Sequence, residues 1–221
     1  MSVQNSTRPH SSATGRSTTG ARAAAALVLG APALVLVSEL VAPRETDGLS
    51  PAAQATLLLD NSGRFAVSWT IGLLAAAMLG AGYCIAATRL TGRGRIVGRF
   101  AAGLGVLGAA GLAGHMSVSL AVRDLLLDDS GATAAADAAF NGLSAVVTVA
   151  PVVIGLNLAV LLLSIAAYHA GWAGWWVIVA GSLALVADFT PTTYNTILHA
   201  VFATSVFAAV AAHVAAPSMA D

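Results

Sequence analysis

The sequence predicts an all-α, polytopic membrane helix bundle with six transmembrane helices and both termini cytoplasmic. Three observations predict it. Of the 221 residues, 57% are hydrophobic and only 9% are charged, with a mean hydropathy of +0.83. A soluble domain carries about a quarter charged residues, because its surface must face water. The apolar residues also gather into runs near the roughly 20 residues that a helix needs to cross the hydrocarbon core. Finally, arginine is divided unevenly between the connecting segments, as in polytopic membrane proteins. This composition excludes a cytosolic enzyme, a nucleic-acid binder and a secreted disulfide scaffold.

Residues 1–21 are polar, rich in Ser, Thr and Gly, and carry no apolar stripe, so they read as a disordered cytoplasmic tail. Residues 22–216 form a single transmembrane domain, and 217–221 form a short cytoplasmic tail. The first span covers 23–42. Its apolar stretch is longer than the core of a secretory signal and no small-x-small cleavage site follows, so it is read as retained. In the connector after it, Ser50 can cap a short helix that Pro51 opens and Gly63 closes, laying Leu57, Leu58 and Leu59 along the membrane surface. Spans two and three cover 67–88 and 98–122. The acidic, alanine-rich connector 123–143 reads as a surface helix, and spans four to six cover 144–168, 172–188 and 196–215. Span five is the shortest.

Orientation follows from arginine. With the N-terminus inside, Arg8, Arg16, Arg22, Arg89, Arg93, Arg95 and Arg99 are cytoplasmic, against Arg44, Arg64 and Arg123 outside. Trp69, Phe189 and Tyr194 then mark the outer interface. Tyr83, Tyr168, Trp172, Trp175 and Trp176 mark the inner one. Such a chain belongs in a bacterial plasma membrane, with membrane lipids as partners and another membrane protein as a candidate partner.

Span three carries Gly98, Gly103, Gly105, Gly108, Gly111 and Gly114, and span two carries Gly72, Ala76 and Gly80. Small residues three and four apart let helices approach closely in lipid, which places span three centrally. Pro32 and Pro151 should distort spans one and four and open a cavity between helices.

Ionisable residues within the spans are costly there and mark candidate sites. Glu39, His115, Asp188 and His199 all fall in the outer half of the bilayer, with Asn157 mid-membrane in span four and Ser117, Thr193 and Tyr194 close enough to join them. Glu39, His115, Asn157, Tyr194 and His199 read as a polar binding pocket that opens outward. Glu39, His115, Asp188 and His199 are also the combination of carboxyl and imidazole groups that general acid–base catalysis uses. The structural alternative satisfies each locally, for example His115 bonded to Asn157 or to a serine.

His199 and His213 lie fourteen residues apart on one helix, about 21 Å along its axis and nearly on one face. This spacing resembles that of membrane b-type cytochromes, which implies haem b held by His115 with His199 and by His169 with His213. No thiolate metal centre can form, because Cys84 is the only cysteine. The basic loop and glycine-rich helix of Arg93–His115 (RGRIVGRFAAGLGVLGAAGLAGH) and the aromatic turn within Leu163–Asp188 (LSIAAYHAGWAGWWVIVAGSLALVAD) resemble small six-span actinobacterial integral membrane proteins of unknown function. The two stretches cover about a fifth of the chain. That resemblance implies a fold and a location, but no activity.

Overall fold

A computed structural model describes residues 13–43, 49–128, 133–190 and 195–216. Helix α1 (Ala13–Val41) is followed by the short α2 (Pro51–Asp60), by α3 (Ser62–Arg89) and by the long α4 (Gly94–Asp128). After α5 (Thr133–Asn141), one rod is built from α6 (Leu143–Ala150), a π-helical stretch (Pro151–Leu156) and α7 (Asn157–His169). Helices α8 (Trp176–Asp188) and α9 (Asn195–Ala215) complete the chain, and no strand occurs among the described residues.

Five helical segments are long and apolar enough to cross a membrane: Thr19–Val41, Ser62–Arg89, Gly94–Asp128, Ala136–His169 and Asn195–Ala215. Helix α8 is apolar but has only 13 residues. That length spans about 20 Å, short of the roughly 30 Å hydrocarbon core. The outer face of the bundle is apolar, as a lipid-facing surface must be: Leu74, Val67, Val146, Val147, Ile154 and Val186 are all exposed.

The rods alternate in direction. Ser38 and Ser68 donate their hydroxyls to each other's carbonyl oxygens at 2.9 and 3.0 Å, and Gly82 packs on Val28, so α1 and α3 are antiparallel. Gly72 faces Met116 and Gly80 faces Ala109, which sets α3 against α4. Gly111 meets Thr148 and Pro151, and Gly94 meets Ala166, which sets α4 against the π-interrupted rod. Gly181 packs on Ser164 to place α8, and α9 returns between α8 and α1. The start of α1 and the end of α9 therefore lie at one end of the bundle. The glycine-rich helix is central as expected, touching α2, α3, α5 and the whole rod from α6 to α7.

Several local expectations are corrected. The first helix begins at Ala13, so part of the polar segment 1–21 is helical, because extending an existing helix costs far less than nucleating one. Ser50 does cap α2, accepting from the Ala53 N–H at 3.3 Å, and Pro51 opens it. The helix stops at Asn61, however, not at Gly63. Asn61 adopts φ −115° and ψ 22° and returns its backbone N–H and its amide to Leu57 O, while Gly63 lies in the first turn of α3.

Leu58 is buried, and Leu57 and Leu59 pack against the core instead of lying on the membrane surface, because α2 is covered by α5. Trp69 is also interior, packed on Phe65 with ring centroids 5.0 Å apart. Tyr83 is fully buried edge-on against Phe207, with its ring over Gly105. Phe189, Tyr168, Trp175 and Trp176 are exposed near helix ends, where interfacial aromatics belong. Tyr194 lies outside the described residues. The aromatic turn after α7 is closed by Gly171 at φ +75°, a conformation that side chains with a Cβ rarely adopt.

Candidate functional site

Four of the predicted polar residues converge. Glu39 from α1, Asn157 from the start of α7, Asp188 from the last position of α8 and His199 from α9 line one cavity of about 120 Å³. Apart from Tyr83 and Thr196 its other walls are apolar, including Pro32, Val35, Leu112, Val152 and Phe207. Pro32 therefore lies against the cavity that its position anticipated, and Pro151 opens the π-helical stretch directly before Asn157.

Asn157 directly follows that stretch. Its backbone N–H bonds to Ile154 O. The Asn157 side-chain amide donates to Val153 O at 2.6 Å and to Asp188 Oδ2 at 2.6 Å. Both partners are acceptors, so the amide orientation is determined by its surroundings. Asn157 Oδ1 is buried with no hydrogen-bond partner among the described residues. The second amide proton to Asp188 ties α7 to the end of α8 and answers where the mid-membrane asparagine goes: to Asp188, not to His115.

Across the cavity, His199 Nδ1 lies 3.0 Å from Ala184 O. A carbonyl can only accept, so Nδ1 carries a proton directed at Ala184 O. Glu39 and Asp188 face the same space. Among the described residues no arginine lines it.

Glu39 also lines a second cavity of about 370 Å³ together with His115, Ser119, Trp69 and, from the short helices above, Gln54, Leu58 and Phe140. His115 thus does not join Asn157 and His199 but sits in an adjoining chamber, with Glu39 as the shared wall. Helices α2 and α5 form the cover of that chamber. Ser119 Oγ is buried there without a partner among the described residues.

The remaining candidates disperse. Ser117 is exposed and bonds to Ala113 O of its own helix at 2.8 Å, so it takes no part in either cavity. Thr193 and Tyr194 lie outside the described residues. His169 is exposed beside Tyr168, and His213 stacks on Trp172 with ring centroids 4.3 Å apart and an interplanar angle of 17°. Among the described residues no group of three or more His, Cys, Asp or Glu is arranged to hold a metal ion.

Tyr83 is the residue that sequence reasoning placed elsewhere. It lines the first cavity and its buried hydroxyl has no partner among the described residues. A single tyrosine near the end of an apolar run is indistinguishable from an interfacial anchor until its neighbours are known. The nearest sequence signal is Gly105, one of many glycines, which admits the Tyr83 ring.

No protein-family model, no curated protein and no solved structure matches this chain.

Proposed function

We propose that the chain is a six-span protein of a bacterial plasma membrane, with both termini cytoplasmic, whose bundle binds a lipid or other small apolar molecule in the Glu39–Asn157–Asp188–His199 cavity. The observation that carries this reading is the convergence of four polar side chains from four helices on one apolar-walled cavity. Ligand sites have this composition: mostly hydrophobic lining with a few polar groups that fix orientation. Intramembrane carboxyl groups that do not face such a site are rare, since lipid gives them no partner. In this orientation the cavity opens toward the outer leaflet, with the α2–α5 cover above its neighbour.

The test is extraction with surrounding lipid, followed by mass spectrometry of what copurifies. A defined small molecule retained by the native chain and lost from Glu39→Gln is the expected result. An empty native chain, or a ligand retained equally by both, overturns the reading. A stoichiometric protein partner in place of a ligand would point to an accessory subunit. A Soret band in the same sample would point to haem b electron transfer.

A second reading is favoured by two carboxyl groups and an imidazole sharing the cavity: an intramembrane acid–base enzyme acting on an isoprenoid or lipid. Glu39 or Asp188 would be the acid and His199 the base, with His115 behind Glu39. Turnover of the copurified molecule, abolished in Glu39→Gln and His199→Ala without loss of folding, separates this reading from simple binding.

A further inference from the structure

The polar atoms of the Glu39–Asp188 cavity are strongly biased in kind. Asn157 spends both amide protons on Val153 O and Asp188 Oδ2, so only its buried, unpartnered Oδ1 remains. His199 turns its Nδ1 proton toward Ala184 O, so that proton is not offered to the cavity. Thr196, at the rim, donates its hydroxyl to Asn195 Oδ1. Two carboxyl groups complete the set, and among the described residues no arginine lines the cavity and Tyr83 supplies the one unspent hydroxyl donor.

Acceptors left dry in an apolar setting are unfavourable unless something donates to them, and half-buried carboxyl groups facing an apolar cavity are favoured in their charged form by a positive partner. Water could satisfy part of this set, but it brings no charge. A metal ion would bring charge, but the described residues hold no metal-binding group. The walls are formed by Pro32, Val35, Leu112 and Val152, which favour hydrocarbon.

We infer that the occupant is a monocationic amphiphile, a protonated amine with an apolar body, whose N–H groups donate to Asn157 Oδ1 and to the Glu39 and Asp188 carboxylates. This rests on the reading of the cavity as a ligand site and names the chemistry of its ligand. Charge-assisted bonds of this kind are about twice as strong as neutral ones, so the amine is distinguished from an alcohol of the same shape by head-group charge alone. A fatty acid, with the opposite charge, is repelled by the same two carboxylates.

The experiment uses the full chain in phosphatidylcholine nanodiscs at pH 7, titrated calorimetrically with octylamine, octanol and octanoate, with empty nanodiscs subtracted. Octylamine is expected to bind saturably, at least about tenfold more tightly than octanol, with octanoate weaker still. Glu39→Gln, which breaks no hydrogen bond of the fold, is expected to weaken octylamine by about tenfold, and Cys84→Ser on the exposed face is expected to leave it unchanged. Octanol or octanoate binding as tightly as octylamine overturns the amine and leaves an apolar-ligand site standing. Octylamine affinity unaltered in Glu39→Gln also overturns it. Stabilisation by sodium ion with no octylamine binding overturns it in favour of an inorganic cation. No saturable binding of any of the three, with nothing copurifying, overturns both the amine and the ligand site.

Discussion

At the scale of single residues, Asn157 and Asp188 carry the most information. Each is marked in the sequence only singly: one amide in a long apolar run, one acid at the end of a short one. Their 2.6 Å hydrogen bond makes them a unit. A double-mutant cycle with Asn157→Ala and Asp188→Ala should give a coupling energy of about 0.5–2 kcal/mol, measured by reversible unfolding in mixed micelles. Additive effects would mean that the bond contributes nothing. The Ser38–Ser68 pair is the parallel case. Ser38→Ala and Ser68→Ala each remove one of two reciprocal bonds between α1 and α3. The pair should lower stability by about 1 kcal/mol together, with most of it already lost in either single variant, because the hydroxyls also contact each other at 3.2 Å. Glu39, Asp188 and His199 were legible as intramembrane polar residues because their cost in lipid makes any such residue informative. Which of them share a cavity was not legible, since that depends on helix rotation. His115 shows the difference: its four-residue spacing from Gly111 put it on an inward face, yet it opens into the neighbouring chamber.

At the scale of elements, glycine spacing and helix interruption set how closely rods approach. Gly155, inside the π-helical stretch, sits against the backbone of α4. A Cβ there would lie 2.9 Å from Gly108 Cα, Gly108 N and Leu104 O, none of which can move without the whole helix. Gly155→Ala should therefore destabilise by about 1–3 kcal/mol. Gly103 lies on the same helix as Gly108, but nothing lies within 4 Å of its Cβ position, so Gly103→Ala should stay within about 0.5 kcal/mol of the native chain. Equal effects of the two substitutions on the melting temperature would remove the assignment of a close-packed α4 face. The sequence marked Pro151 as a distortion but not its form. A proline removes one donor from the ladder, and whether the chain answers by bending or by widening a turn is decided by what packs on it. Here the chain answers with a π-helical stretch directly before Asn157, whose side chain donates to Val153 O.

At the scale of the whole molecule, the alternation of rods makes membrane sidedness testable. In the Cys84→Ser background, Asp60→Cys and Asp128→Cys should react with an impermeant maleimide from outside intact cells, whereas Thr91→Cys and Tyr168→Cys should react only after permeabilisation. Ala216→Cys reports on α8: protection from outside is expected if α8 completes a crossing with its flanking turns, and labelling from outside would mean that it does not. Two of the three arginines that the proposed orientation puts outside have local explanations. Arg64 donates to Val41 O at 3.1 Å, and Arg123 donates to Ser62 O at 2.9 Å and pairs with Asp124 at 2.6 Å. They tie helix ends together, so their position does not weigh against the inner cluster of Arg89, Arg93, Arg95 and Arg99.

Composition and the length of apolar runs were enough to establish, from sequence alone, an all-helical chain built to sit in lipid and a central glycine-rich helix, while helix limits were less exact: α1 begins at Ala13 and not at 23, and α4 runs to Asp128 and not to 122. Those properties are local: they depend on hydropathy summed along one segment and on small side chains at fixed spacing. Only the tertiary structure decided that Asn157 bonds Asp188, that His199 turns its proton toward Ala184, that Tyr83 faces a cavity, and that His115 stands apart behind Glu39. Those are consequences of how each rod is rotated and shifted against its neighbours. That rotation is set by packing between residues far apart in the chain, which no single segment encodes.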